Sequence, residues 1–352
     1  MSYDVVVVGG GIGGLTVAAL LSARGVKTCL LERNSQVGGC VARVEFSGHD
    51  FEPGMGLYTS FGRGEIYEQV FSELPVDHPK TALLSGSDRF YAIEGGPASV
   101  AERLAESIKK SGGTLRLNSP VLRLAYDERG QHAIGVDLLT SETVVARKAI
   151  VSNLTVWDTY GKLIGLNRTP LETKKLLKAL EGHGAYIVYA SLEESALDRL
   201  PGERFTAGEF TVAVSPAGSG PRGKRAVTIK TDTDPTDWFA YQASEEEYEE
   251  RDQEALEETW ARLHAALPQL GADIEIIETA NPRTYYDTTR RKLGMVLGVN
   301  LETETPELAQ LLRHETSLPN VFMVGDTITP TPRMDAVVES ALALANKLTV
   351  VS

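Results

Sequence analysis

The sequence predicts an α/β fold in which a doubly wound, dinucleotide-binding domain is interleaved with a smaller α+β domain. Three observations predict it. A glycine-rich turn, Gly9 to Gly14, lies between a buried strand and a helix near the start. A strand at the other end, Val321 to Val324, runs into Gly325-Asp326, and a helix follows. Between about Val156 and Asn281 the texture changes to separate strand-like runs and one strongly charged helix, with no linker on either side. The outer segments are therefore expected to fold together, as 1–60, 95–155 and 285–352, around a substrate domain made of 61–94 and 156–284.

Each element has its own reason. Tyr3 to Val8 (YDVVVV) is a continuous apolar run, as a parallel strand covered on both faces requires. Leu15 to Arg24 reads as a helix closed by Gly25. Lys27 to Glu32 completes a βαβ unit, whose crossover is right-handed. Ala98 to Ser111 has helical periodicity and stops at Gly112-Gly113; Thr114 to Asn118 then alternates until Pro120 breaks it. Leu122 to Tyr126, Ala133 to Leu139 and Thr143 to Ala146 read as an antiparallel meander, with Lys148 to Ser152 as a separate buried strand. Ala185 to Ala190, Phe210 to Val214 and Ala226 to Lys230 are further strands. In Ser244 to Leu267, the apolar positions Tyr248, Leu256, Trp260 and Leu263 sit near helical spacing, and the acidic run reads as the solvated face. Met334 to Lys347 is the closing helix.

Composition narrows the partners. A chain of 352 residues, 42% hydrophobic and 24% charged, suits two ordinary globular domains. Its net charge of −13 repels phosphate backbones and anionic lipid heads, so no nucleic acid and at most peripheral membrane contact are expected. The first residues run directly into a strand without a basic leader, and cytoplasm is the expected location. Cys29 and Cys40 form no Cys-x-x-Cys, which argues against disulfide exchange. The six histidines are dispersed and no metal-ligand spacing occurs, so no metal is expected.

Gly9, Gly11 and Gly14 fit G-x-G-x-x-G. Gly9 allows the tight turn, Gly11 lets backbone approach a pyrophosphate, and Gly14 permits close packing of helix on strand; Gly13 belongs to the same cradle. The helix start then offers N–H groups to the phosphates. Glu32, followed by Arg33, ends the second strand, where its carboxylate can accept the hydroxyls of an adenosine ribose and disfavours a 2′-phosphate. Gly38-Gly39 and Gly325-Asp326 separate FAD from NAD. A second glycine pair suits a long, extended dinucleotide. An acid at the far turn can accept from a ribitol hydroxyl, while the helix beyond it faces the end of the flavin ring where charge gathers on reduction. FAD is the expected cofactor.

With both ends placed, the chain resembles the FAD-dependent amine oxidase/phytoene desaturase-type flavoproteins, nearest to the bacterial phytoene desaturases, carotenoid isomerases and retinol saturases. The resemblance rests on VVVVGGGIGGLTVAALLSARGVKTCLLERNSQVGGCVA, FEPGMG (Phe51 to Gly56), GGPASVAERLAESIKKSGGTLRLNSPVLRL, ETANPRTYYDTTRRKLGMVLG and NVFMVGDTITPTPRMDAVVESALALANKL. It implies a glutathione-reductase-like FAD domain. It also implies cofactor contacts at Gly56, at Val121 beside the adenine, and at Met334, Asp335, Ala336 and Val337 beside the isoalloxazine. The activity implied is that of an FAD-dependent oxidoreductase of desaturase, saturase or isomerase type on a hydrophobic polyene or isoprenoid-like substrate.

This chain departs from the family pattern at Glu52-Pro53-Gly54, at Asn281, at Arg333 and Asp335 in the final loop, and in the short stretch between Gly54 and Gly95, where relatives carry a helical lid. Arg333 is the candidate catalytic residue, as a cation beside the flavin; a salt bridge to Asp335 is the alternative. Tyr285 and Tyr286 read as core packing rather than pocket. The short lid and Arg333 leave open an amine-oxidase-like dehydrogenase of a smaller polar substrate, or a non-catalytic flavin-binding partner subunit. The lid also suggests a homodimer, with Leu57 to Phe90, Phe61 among them, at the interface.

Overall fold

The structure, a computed structural model, describes residues 2–53, 58–84, 88–240, 244–296, 298–299, 305–329, 331 and 333–350. Five parallel strands form the centre of the first sheet. In spatial order they are Thr114–Arg116, Thr28–Leu31, Ser2–Val8, Thr143–Ser152 and Val321–Met323. Val5 to Val8 are all buried because both faces are covered. On one face, helix Ile12–Ala23 packs against helices Gly96–Lys110 and Met334–Val350, joining Leu15, Leu20, Leu104 and Val338 in one core. Residues 12–22 are buried on every side, which is why that helix is apolar all round. On the other face, Val6 and Val8 meet Leu124 and Val136 of the meander.

The meander corrects one expectation. Thr143 to Ala146 and Lys148 to Ser152 are a single strand, Thr143–Ser152. Its first residues pair antiparallel with Ala133–Leu138, and its last pair in parallel with Val321–Met323. Arg147 and Lys148 interrupt the apolar pattern because they stand in an irregularity opposite Asp4, between the Tyr3–Ala146 and Val5–Ala149 pairs. Arg147 reaches Asp4 at 3.4 Å. The charged pair is absorbed by a bulge rather than ending the strand.

The second sheet is antiparallel, in the order Arg204–Ala207, Phe210–Val214, Lys224–Thr233, Gly184–Glu193, Ile274–Ala280. Helix Glu245–Ala266 covers one face through Ala255, Thr259 and Leu263, and turns its acids to solvent as expected. Ser244 caps it, accepting from the Glu247 N–H at 3.2 Å. The opposite face meets the hairpin Val44–Phe46 and His49–Phe51 in a small aromatic core: Phe51 lies 5.0 Å from Tyr189, with Tyr285 beside them. Tyr285 is thus a packing residue. No helix among the described residues is long and apolar enough to cross a membrane.

Two departures from the family pattern have structural reasons. Glu52 is buried against the equally buried Arg204, whose guanidinium lies 4.5 Å from the Tyr58 ring. Asn281 caps helix Pro282–Thr289 with a capping box, and its amide donates to the Tyr248 hydroxyl and Asp252. The short lid places Phe61 otherwise than expected. Phe61 is only 5% exposed and stacks on Tyr67 at 3.8 Å between centroids. Tyr67, Val70 and Phe71 of helix Ile66–Ser72 insert into the same core as helix Ile12–Ala23. Phe61 is therefore buried by its own chain rather than left for a partner: aromatic residues of this segment, expected in the substrate domain, bury themselves in the core beside helix Ile12–Ala23.

Candidate functional site

A cleft of about 1140 Å³ opens at the carboxyl ends of the parallel strands, where ligands of doubly wound sheets bind. This exceeds the range of drug-sized pockets and has room for a dinucleotide. Its floor is the first turn. Gly9 has φ +100°, which disfavours any side chain. Gly11 is the N-cap of helix Ile12–Ala23 and has no side chain with which to cap it; no acid stands in the first turn either. The N–H groups at this helix start are left for an anion, and the dipole favours one there. Gly14 works from behind. A Cβ on it would lie 2.2 Å from the Gly9 carbonyl oxygen, so it seats the helix on the strand without lining the cleft.

Asn153 is a residue that sequence reasoning missed. It follows strand Thr143–Ser152, and its backbone N–H donates to the Val8 carbonyl at 2.8 Å. Its side chain stands where a Cβ on Gly11 would come within 2.7 Å and one on Gly13 within 2.8 Å, and it also lies 3.2 Å from the Cβ position of Gly325. One amide thus supports the turns at both ends of the chain. The signal was faint: a polar residue directly after a buried strand, at the crevice end of a parallel sheet.

One end of the cleft is walled by Glu32, Arg33 and Val121. Glu32 is 7% exposed; one carboxylate oxygen accepts from Gly10 N–H at 2.7 Å and the other from Asn34 N–H at 2.8 Å. A carboxylate offers about four acceptor positions, so acceptor capacity remains. Gly38 (φ +111°) and Gly39 dock onto the first turn: Gly38 N–H donates to Gly10 at 2.8 Å, and the Cβ position of Gly39 is 3.4 Å from Gly11 Cα.

The far end is built by Gly325 (φ +129°), Asp326, Met334 and Val337, which also line the cleft. Arg291, a second missed residue, binds Asp326 at 2.6 Å and donates to the Met295 carbonyl at 2.6 Å. Burial opposes the charge on Arg291, but Asp326, together with Cys40 and Asp158, outweighs it and holds the guanidinium pKa above its ordinary value. Arg333 lines the cleft, yet its guanidinium is forked onto Asp335 at 2.8 and 3.1 Å. Of its two readings, the structure has the salt bridge. Asp335 is not itself on the wall, but it accepts also from Thr59 and Ser60, which are, at 2.8 and 2.9 Å. Burial works against its ionisation, and these hydroxyls with Arg333 outweigh it, holding its carboxyl below the usual range. Ala336, on the closing helix, is not on the wall. Gly56 lies outside the described residues.

Burial pushes the Cys40 thiol up, and Arg291 offsets only part of this, so Cys40 lines the cleft as a neutral group rather than a nucleophile. No group of histidine, cysteine and acid side chains among the described residues has metal-binding geometry.

Residues 7–74 match the model of an NAD(P)-binding Rossmann-like domain, and residues 76–349 match that of the flavin containing amine oxidoreductases. This chain belongs to the flavin-containing amine oxidoreductase family. Its cofactor is FAD, and the paired glycine turns, uncapped helix start and cleft size fit that dinucleotide. When bound, FAD supplies the redox chemistry; the protein supplies orientation, electrostatics and exclusion of water.

Among curated family relatives, a chloroplastic prolycopene isomerase of Daucus carota is 25% identical over 311 residues, which cover 80% of this chain and 49% of the isomerase. A carotenoid 3,4-desaturase of Haloarcula japonica is 37% identical over 92 residues, covering 26% of this chain and 19% of the desaturase. An all-trans-retinol 13,14-reductase of Danio rerio is 44% identical over 118 residues, covering 30% and 19%. The chain thus spans about half the length, or less, of these relatives. An oxidoreductase structure from Methanosarcina mazei superposes with a TM-score of 0.72 at 14% identity, covering 98% of this chain and 100% of that one. A putrescine oxidase does so with a TM-score of 0.67 at 14% identity, each chain fully covered. At these identities the structures show a shared fold.

Proposed function

We propose that the chain is an FAD-dependent oxidoreductase, of desaturase, saturase or isomerase type, acting on a hydrophobic polyene or isoprenoid-like substrate. The cofactor contacts run from Gly9, Gly11, Gly13, Glu32, Arg33, Gly38, Gly39 and Val121 at one end to Gly325, Asp326, Met334 and Val337 at the other. The observation that carries the substrate reading is the aromatic part of the cleft lining. Tyr58 and Phe90 are on its wall, and the segment that bears Tyr58 and Phe61 is folded into the core of its own chain, which supports a water-excluding site for an apolar substrate. The names of the three curated relatives point the same way. A homodimer belongs to this proposal: Leu83, 49% exposed on the lid hairpin, is an apolar group that a second copy would cover.

One observation favours a second reading, a smaller polar substrate. The second sheet turns Thr211 and Lys230, register partners on adjacent strands, toward the cleft. Anaerobic mixing with polyenes and retinoids, of the oxidised protein and of protein whose flavin has first been reduced with dithionite, and separately of the oxidised protein with primary amines, distinguishes the two. The expected result is a desaturated, saturated or isomerised polyene product by chromatography, with no bleaching of the flavin by amines. Flavin bleaching by an amine, with every polyene unchanged, would overturn the proposal.

A further inference from the structure

Arg291 has a setting that a surface arginine lacks. Its side chain is 15% exposed and that of Asp326 is 22% exposed, and both line the cofactor cleft. The segment that carries it is held from several directions. Arg290 and Leu293 both have left-handed backbone, at φ +57° and +50°. Lys292 N–H donates to the buried Asp158 carboxylate at 3.0 Å. A Cβ on Gly294 would fall 1.6 Å from the Pro282 carbonyl oxygen, so this chain crossing admits only glycine. Non-glycine residues persist in such backbone only where their surroundings enforce it, and this fixed stretch sets the guanidinium between Asp326 and the Met295 carbonyl, each at 2.6 Å.

We infer that Arg291 is a positioning residue for the cofactor, fixing the Asp326 carboxylate at the C-terminal turn and balancing its charge beside the redox ring. This rests on the proposed placement of the flavin at Gly325-Asp326. In a half-buried site an unopposed carboxylate repels negative charge far more than in water. Reduction of flavin by two electrons and one proton adds a negative charge to the ring. Without Arg291 the reduced form therefore meets Asp326 unscreened. Without Asp326 it meets an unopposed cation. The two single substitutions must shift the redox equilibrium in opposite directions, which a merely structural arginine would not do.

The test is the midpoint potential of the bound flavin, titrated with a reference dye, in wild type, R291M, R291K, D326N and R291M/D326N. R291M is expected to lower the preference for the reduced form at least tenfold, about 30 mV for a two-electron couple. D326N is expected to raise it by a similar factor. R291K and the double variant should lie within threefold of wild type. If R291M fails to fold, the sign of the D326N shift decides alone. Wild type without bound FAD would sink the cofactor placement itself. FAD-loaded wild type with an unmoved potential in the folded single variants would overturn this inference only.

Discussion

Gly14→Ala is expected to abolish stable FAD binding. The added methyl would sit 2.2 Å from the Gly9 carbonyl oxygen and 3.0 Å from the Asn153 Cβ. Neither neighbour is the free end of a flexible side chain, so the helix must lift from the strand. Overpacking of this kind costs about 1–3 kcal/mol, with the upper end expected where backbone meets backbone. Because the displaced parts are the phosphate cradle itself, the loss falls on the cofactor, at roughly a hundredfold in affinity. Gly25→Ala is the matched control. Its Cβ meets nothing within 4 Å, although φ is +79°. It is expected to lose about 1–2 kcal/mol of stability from left-handed backbone and to keep its FAD. Flavin absorbance after desalting, beside a thermal melt, separates the two outcomes. Normal flavin content in Gly14→Ala would mean that the turn does not hold the cofactor.

Glu32→Ala should weaken FAD at least tenfold. Glu32 does more than wait for a ribose: its two oxygens already fix the Gly10 and Asn34 N–H groups, at 2.7 and 2.8 Å. Charge-assisted bonds of this sort are worth about 1.5–3 kcal/mol each, and their loss leaves buried donors unpaired. Glu32→Gln should fall between the two, since its amide keeps one accepting oxygen and sets an N–H against a backbone donor. Titration of apoprotein with FAD, read by quenching of flavin fluorescence, gives the affinities. Equal affinity in wild type and Glu32→Ala would remove Glu32 from the site.

What could be read in advance follows from how local each cause is. An unbroken valine run and glycines that alone tolerate the φ of Gly9, Gly38 and Gly325 carry their structural meaning in their identity. Asn153 and Arg291 do not. The first matters because strand Thr143–Ser152 lies beside Ser2–Val8, and the second because a loop from beyond the second sheet returns to Asp326. Nothing local distinguishes either from an ordinary surface residue. Arg333 had two readings because its partner, Asp335, is only two residues away, and only the side-chain geometry decides between them. The expectation for Phe61 failed for a different reason. It was drawn from what a longer lid would have covered, whereas the short segment supplies its own apolar partner in Tyr67. The merging of Thr143–Ser152 across Arg147-Lys148 shows the same limit, since a bulge hides a charged pair that alternation alone reads as a break.

The central claim is that one FAD lies between the glycine turn at Gly9 and the Gly325-Asp326 turn. The most direct measurement is the nucleotide released when purified protein is denatured, separated by chromatography and quantified against protein. FAD approaching one per chain is expected in wild type, and its near absence in Gly14→Ala. Stoichiometric NAD without flavin, or FMN in place of FAD, would contradict it.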